Sequence, residues 1–184
     1  AQYDIAGNVV KTIDGRGYAT TINYSDRFGT PNGQAQGNTP PSELAGASSF
    51  AFPTYIINAM GHASYTQFDY YLGQAVDGED PNGIASSAYY NDPLGRPTQL
   101  VRASNQLVSA KSQSSFTYDD NNRVVTVTND LTSFNDNALK RQTVYDGLGR
   151  VTELDPVEFA SSPASRHVTA TGLACQHLQL TAVS

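Results

Sequence analysis

Short segments in which apolar and polar residues alternate recur along the chain. Candidate strands of this kind are residues 20–24, 97–102, 115–118, 123–128, 139–145 and 150–154. A two-residue period places successive side chains on opposite faces of a β-strand. No stretch shows a persuasive 3.6-residue apolar period, which is typical of an amphipathic helix. The pattern therefore predicts an all-β fold, an antiparallel meander of short hairpins.

The predicted turns are marked by an acid or amide with a glycine three residues later. Seven such pairs occur: Asp4/Gly7, Asp14/Gly17, Asp26/Gly29, Asn58/Gly61, Asp80/Gly83, Asp92/Gly95 and Asp146/Gly149. In a further pair, Asp119/Asn122, asparagine takes the glycine position. A type I turn favours Asp or Asn first, because the side-chain oxygen accepts hydrogen bonds from the following backbone N–H groups. The glycine then adopts a left-handed conformation and forms a bulge, so we predict hairpin turns here.

The spacing of the turns divides the chain into repeat and non-repeat regions. Gly7 and Gly17 are 10 residues apart, which is the length of one strand plus one turn. Two regions interrupt this rhythm, one because it is rich in Gly, Pro, Ser and Gln, the other because it has no repeat feature. The predicted organisation is repeat strands in residues 1–29, a loop or insertion in 30–54, repeat strands in 55–159 and a non-repeat tail in 160–184.

An aromatic residue precedes many turn acids, and a polar residue follows many turn glycines. Tyr145-Asp146 and Gly149-Arg150 show both features. We expect such a tyrosine to pack on the sheet surface and the stem of such an arginine to lie over a tyrosine ring. The predicted repeat residues are Tyr3, Asp4, Gly7, Gly17, Tyr24, Asp26, Gly29, Gly61, Phe68, Tyr90, Asp92, Gly95, Arg96, Tyr118, Asp119, Asn122, Arg123, Tyr145, Asp146, Gly149 and Arg150.

The pattern Tyr-Asp-x-x-Gly-Arg resembles the YD repeat of RHS (rearrangement hot spot) and teneurin proteins. The most similar copies here are residues 145–151 (YDGLGRV) and 3–9 (YDIAGNV). Residues 68–74 (FDYYLGQ) depart from it, because they are one residue longer and have Gln in the place of Arg. The resemblance covers roughly residues 3–29 and 55–155.

Members of this family wind a strand-rich spiral into a large hollow shell. The resemblance implies that this chain is a non-catalytic segment of such a β-shell, which encloses or presents a toxin or other C-terminal cargo in competition between cells. Its partners would be the remainder of the same polypeptide, and its location would be secreted or at the cell surface. We expect a fragment, because the chain is far too short to close a shell and lacks the family's core-terminal DPxGL stretch.

Composition narrows the alternatives. The net charge of −6, without a Lys/Arg cluster, argues against nucleic acid and anionic membrane surfaces as partners. No apolar run approaches the roughly 18–20 residues of a membrane span. Leu, Ile, Val and Phe make up about a fifth of the chain, close to the limit at which packed cores fail. With Cys175 alone, no internal disulfide forms.

Nothing in the sequence predicts a catalytic residue, a metal or a cofactor. His167, Cys175 and His177 lack a fourth zinc ligand, and no serine stands in a nucleophile context. Residues 77–83 concentrate three carboxylates, which are ligands that calcium prefers. Asp80, however, is already expected to cap a turn, so a solvated hairpin tip explains this segment better.

The abundance of tyrosine supports one alternative, a cell-surface carbohydrate-binding or adhesion module. Aromatic faces stack on sugars, and Tyr70 and Tyr89 are the candidate platform residues. Because tyrosine recurs before the turn acids, a structural role accounts for it first. We therefore expect glycans to be possible partners only under this alternative.

Overall fold

The described chain folds into one antiparallel sheet. The computed structural model describes residues 1–28, 40–155 and 158–159. Its strands are β1 (Gln2–Tyr3), β2 (Val9–Ile13), β3 (Ala19–Asn23), β4 (Tyr55–Ile57), β5 (Ala63–Asp69), β6 (Gln74–Glu79), β7 (Ala85–Tyr89), β8 (Gln99–Arg102), β9 (Ser112–Asp119), β10 (Val124–Asn129), β11 (Leu139–Tyr145), β12 (Val151–Leu154) and β13 (Glu158–Phe159). The helical structure in these residues is two 3-10 turns, Ser42–Leu44 and Val108–Ala110. The predicted all-β fold is confirmed.

The strands follow one another across the sheet in chain order, from β1 to β12, and every neighbouring pair is antiparallel. β13 pairs with the beginning of β11, where Lys140 lies opposite Glu158. The sheet is open, since β1 and β12 each have one neighbouring strand among the described residues. Because the chain reverses after every strand, successive connections lie at alternate ends of the sheet, as a meander requires.

Each of the six candidate strand segments overlaps a strand of the sheet, and residues 139–145 coincide with β11. β4 to β7 lie within the predicted repeat-strand region 55–159, although none of the six candidate segments marked them individually. Within the predicted loop, residues 40–54 contain one 3-10 turn and no strand. Three predicted features lie outside the described residues: Gly29, the first part of the loop, and the tail with His167, Cys175 and His177.

The predicted turn chemistry is visible in the hydrogen bonds. The Gly7 N–H donates to the carbonyl of Asp4 (3.1 Å), and the Asp4 N–H donates to the carbonyl of Asn8 (2.9 Å). Asp4 Oδ1 accepts from the N–H groups of Ala6 and Asn8. The same four bonds form at Asp14, Asn58, Asp80 and Asp146. In these five turns the glycine has a φ between 77° and 88°.

Two other turns are one residue longer. Asp69 pairs with Gln74, and Asp119 pairs with Val124, so four residues separate each pair. The left-handed residue then falls one position later than the sequence pattern predicts: it is Arg123, with φ 57°, rather than Asn122. Asn122 instead donates through its N–H to Asp119 Oδ1 (3.0 Å) and through Nδ2 to Oδ2 (2.7 Å).

Polar side chains dominate the buried part of the described sheet. The buried polar residues are Thr54, Gln67, Asp77, Ser87, Ser104, Gln113 and Asp155, and the buried apolar ones are Val76, Ala85 and Val101. Gln67, Asp77, Ser87, Val101 and Gln113 lie opposite one another on five adjacent strands, β5 to β9, and form one row. We name this set the polar row.

Hydrogen bonds connect members of the polar row to one another and to the connections beside them. The Ser87 hydroxyl bonds to Asp77 and to the Ser104 hydroxyl (2.8 Å). At the other end of the row, Gln113 Nε2 donates to Asn135 Oδ1 (2.7 Å), a residue from the β10–β11 connection. Buried polar groups are tolerated when they are paired in this way. Hydrogen bonds, rather than an extensive apolar core, therefore hold the middle of this sheet together.

The two glycines of one turn test the left-handed requirement. Gly149 has φ 77°, Gly147 has no positive φ, and a Cβ at either position would meet nothing within 4 Å. We expect Gly149→Ala to lower the free energy of unfolding by about 1–2 kcal/mol, because an L-residue is strained in the left-handed region. Gly147→Ala, the matched control, should change it by less than about 0.5 kcal/mol. Equal effects in denaturant titrations would contradict the assignment.

Candidate functional site at the aromatic end of the sheet

The turns in which an aromatic residue precedes the acid all lie at one end of the sheet. They connect β1 to β2, β5 to β6, β7 to β8, β9 to β10 and β11 to β12, which are alternate connections of the meander. The turns at Asp14, Asn58 and Asp80, which no aromatic residue precedes, lie at the other end. We name the first the aromatic end. The recurrence of the motif after every second strand is therefore what gathers its residues in space.

Arg96 joins two neighbouring turns of the aromatic end. Its Nε lies 2.8 Å from the carboxylate of Asp92, the acid of its own turn. Its Nη1 and Nη2 bond to the two carboxylate oxygens of Asp120, in the next aromatic turn, at 2.7 and 2.9 Å. Its guanidinium carbon lies 4.0 Å from the ring centroid of Tyr118. Arg96 therefore links the β7–β8 and β9–β10 connections through its ion pairs and through the stacking of its guanidinium on the Tyr118 ring.

The expected stacking of arginine on tyrosine thus occurs, but across turns. Arg96 covers Tyr118 of the following turn, whereas the hydroxyl of Tyr90, which precedes its own turn, bonds to the carbonyl of Ala75 (3.3 Å). The Tyr118 hydroxyl in turn donates to the carbonyl of Pro97, in the β7–β8 connection (2.7 Å). The contacts between units run in both directions.

Similar contacts join the neighbouring turns on both sides. Leu72 of the β5–β6 turn lies 3.3 Å from the position that a Cβ on Gly95 would occupy. Further along, Arg123 Nε donates to the carbonyl of Tyr145 (3.1 Å), and the Tyr145 N–H donates to the carbonyl of Arg123 (2.9 Å). From the β5–β6 turn to the β11–β12 turn, each aromatic turn contacts the next.

The long β3–β4 connection takes the place of a turn in this series. The Asp26 carboxylate accepts from the Ser49 N–H (2.6 Å), from the Ser49 hydroxyl (2.8 Å) and from the hydroxyl of Tyr70, and its predicted turn partner Gly29 lies outside the described residues. Phe52 stacks on Phe68 with ring centroids 4.6 Å apart and meets Tyr70 edge-on at 5.2 Å. The part of the connection that leads into β4 therefore packs against the β5–β6 turn.

The first repeat contacts the same connection. Asn8 Nδ2 donates to the carbonyl of Phe50 (3.1 Å) and to Asp4 (3.1 Å). Tyr3 is 64% exposed in the edge strand β1, and Tyr24 is half-buried directly after β3. Gly17 and Gly61 lie at the opposite end of the sheet from this group, so the structure does not bring them together with it.

The electrostatics of the Arg96 site favour its charged form. The hydrogen bond from Arg96 lowers the pKa of Asp92 and that of Asp120 below their ordinary values. Asp120, followed by Asp92, raises the pKa of Arg96. Two carboxylates on one guanidinium hold it in a fixed orientation against the Tyr118 ring.

The two tyrosines proposed for sugar stacking have structural roles in the sheet. Burial, followed by the hydrogen bond to Asp26, raises the pKa of Tyr70. Burial also raises the pKa of Tyr89, and the nearby Asp77 carboxylate adds to the effect. Both side chains are half-buried, so neither offers a full exposed face to a glycan.

The described residues contain no cluster of side chains that would bind calcium or zinc. The Asp80 carboxylate accepts from Asn82 and Ile84 within its own turn, and Asp77 belongs to the polar row. In residues 1–28, 40–155 and 158–159, no group of three or more His, Cys, Asp or Glu side chains is placed to hold a metal ion. Among the same residues, no helix has the length and hydropathy to cross a membrane.

Residues that act across long separations had no signal in the sequence pattern. Asp120 was visible only as a second acid beside Asp119, with no signal that it would meet Arg96. In the β10–β11 connection, Asp136 accepts from the N–H groups of Leu131, Thr132 and Ser133, and these bonds lower its pKa. No glycine marks that connection, so the turn rule did not find it.

Acidification should weaken the turns that an aspartate caps. The N–H of Ile84, followed by that of Asn82, keeps the pKa of Asp80 below its ordinary value, despite some opposition from burial. A lowered folded-state pKa stabilises the fold above the unfolded-state pKa of about 3.9, and this stabilisation is lost as the pH falls through the folded-state value. Between about pH 5 and pH 2, the melting temperature should fall less for Asp80→Asn than for wild type.

Asn58 makes this comparison interpretable, because it caps its own turn with the same hydrogen bonds and no charge. Asp80→Asn should therefore retain the fold at neutral pH. If the variant and the wild type lose stability in parallel on acidification, the capping carboxylate does not contribute to the acid response.

The Arg96 contacts provide a second test. Arg96→Gln removes the charge and the planar fork, so we expect a lower melting temperature than for Arg102→Gln, in which an exposed arginine without an ion pair to the described residues is changed. The loss should shrink when the same change is made in a Tyr118→Leu background, because the two side chains share one contact. Additive losses in thermal denaturation would mean that the contact contributes nothing.

The comparisons with known proteins do not assign the chain to a family. No family model matches it, and no curated protein matches it significantly.

Proposed function

We propose that this chain is a non-catalytic wall segment of an RHS/YD-repeat β-shell, which encloses or presents a toxin or other cargo carried by the same polypeptide. The observation that supports this most is the unbroken series of contacts between successive aromatic turns. From the β5–β6 turn onward, each unit of two strands contacts the next, by apolar packing, by an ion pair with arginine–tyrosine stacking, or by hydrogen bonds. Repeat proteins likewise draw their stability from contacts between neighbouring units. Such an architecture extends by adding units.

The polar interior also supports a wall. A self-contained domain of this size buries an apolar core, whereas the described residues here bury three apolar and seven polar side chains. Exposed apolar residues are concentrated at turns and connections, among them Ile5, Met60, Leu94, Leu107 and Leu148. A single layer of hydrogen-bonded strands fits a shell with a wet lumen better than a packed globule.

The turn before β12, the last strand of the meander in the described residues, carries the group that a following unit would use. Arg150 repeats the position of Arg96, and its Nε lies 2.7 Å from Asp146, the acid of its own turn. Its side chain is 73% exposed, and no aromatic ring of the described residues covers it. A further unit with an aromatic residue and an acid before its turn would complete the arrangement seen at Arg96.

The coding sequence that flanks the chain gives the first test. We expect further copies of the Tyr-Asp-x-x-Gly-Arg pattern upstream, and a non-repetitive domain after the last repeat downstream. A start codon directly before Ala1 and a stop codon directly after Ser184 would contradict the proposal, because a chain of this length closes no shell.

Limited proteolysis of the complete polypeptide tests the wall directly. A double variant with Gly95→Val and Gly149→Val should open the wall, because valine is strongly disfavoured at the φ values of these two glycines, 68° and 77°. The downstream domain should then be cleaved faster than in wild type. Gly15→Val with Gly147→Val is the matched control, since neither glycine has a positive φ. Equal cleavage rates in all three proteins would overturn the proposal.

A further inference from the structure

A cleft opens at the end of the sheet opposite the aromatic end. It has a volume of about 430 Å³ and lies between the β8–β9 and β10–β11 connections, the two longest at that end. This volume falls within the roughly 300–1,000 Å³ of small-molecule sites. The cleft shares no residue with the repeat motif, so the proposed wall function leaves it unexplained.

The lining combines one cation, one aromatic ring and hydroxyl groups. The Lys111 ammonium lies 5.9 Å from the ring centroid of Phe134. Within the described residues, Lys111 forms no ion pair, and the hydroxyls of Ser112 and Ser133 form no hydrogen bond. These groups are half-buried or exposed and are available to a ligand.

The acidic side chains of this region are already engaged by the backbone. Asp130 lines the cleft and accepts from the N–H groups of Gln113, Asn135 and Asn137, at 2.8, 3.0 and 3.2 Å. Asp136, behind it, accepts from the β10–β11 connection and from the Thr132 hydroxyl (2.8 Å). The carboxylates therefore shape the cleft walls through bonds to the backbone, and none in the described residues forms an ion pair with the Lys111 ammonium.

Apolar surface flanks the same cleft. Val108 is 64% exposed and Leu131 is 50% exposed, one on each connection. A ligand suited to this lining has a carboxylate for the ammonium, hydroxyls for the serines and a C–H face for the ring and the aliphatic groups. Inorganic anions lack the second and third of these features, and fatty acids lack the second.

We propose that the cleft between the β8–β9 and β10–β11 connections binds an acidic sugar, a hexuronic acid residue. Lys111 binds its carboxylate, Phe134 stacks on the ring, and Ser112 and Ser133 hydrogen-bond to its hydroxyls. The site lies on a different surface from Tyr70 and Tyr89, and its ligand is independent of whether the chain forms a shell wall.

Titration of the protein with D-glucuronate, followed by backbone amide NMR, tests the site. Saturable shifts should appear in residues 108–112 and 130–134, with a Kd at least about tenfold below those of D-glucose and acetate, the matched neutral sugar and the carboxylate without a ring. Lys111→Gln and Phe134→Leu should each weaken glucuronate binding by about tenfold or more. Lys140→Gln, which removes an exposed lysine on β11, should leave the Kd unchanged.

Three outcomes would overturn the proposal. The first is the absence of saturable shifts with glucuronate, and the second is binding of acetate as tight as that of glucuronate, which would mark a simple anion site. The third is a Lys111→Gln protein whose amide spectrum outside the cleft is unchanged and whose glucuronate affinity equals that of wild type.

Discussion

The acid-capped hairpin turn is the constraint on which the rest of this structure depends. Five turns close with the same set of hydrogen bonds, from an Asp or Asn side chain to the following N–H groups and from a left-handed glycine to the turn's first carbonyl. Because each turn reverses the chain within a few residues, consecutive strands must become neighbours. The meander and its alternate ends follow, and so does the gathering of every aromatic–acid turn at one end.

The inter-turn contacts build on this arrangement. Arg96 reaches Tyr118 and Asp120 because the meander brings one aromatic turn beside the next, and Arg123 meets Tyr145 for the same reason. The polar row adds hydrogen bonds across the middle of the sheet, where an ordinary domain would place apolar side chains. Both sets of contacts join neighbouring strands, so stability should depend chiefly on nearest neighbours, as in repeat proteins.

Features decided within a few residues could be predicted from the sequence, and features decided across long separations could not. The turn at Asp146 uses partners no more than four residues away and was found, and β11 coincides with one of the six candidate segments. Among the described residues, Asp26 has the partners Ser49 and Tyr70, which come from 23 and 44 residues away and which the local sequence could not indicate. The individual positions of β6 and β7 within the predicted repeat region were not found, because these strands bury Asp77 and Ser87, whose side chains bond to each other across the strands.

Native-state hydrogen exchange across the sheet tests the central claim most directly. If neighbouring strands and turn contacts hold the fold, protection should be highest in β6 to β8 and should decrease stepwise toward β1 and β12, because the edge strands can open separately. The account predicts such a graded profile, with Tyr3 and Val151 exchanging far faster than Ser87. Uniform protection that is lost in one cooperative step, equal in β1 and β7, would contradict it.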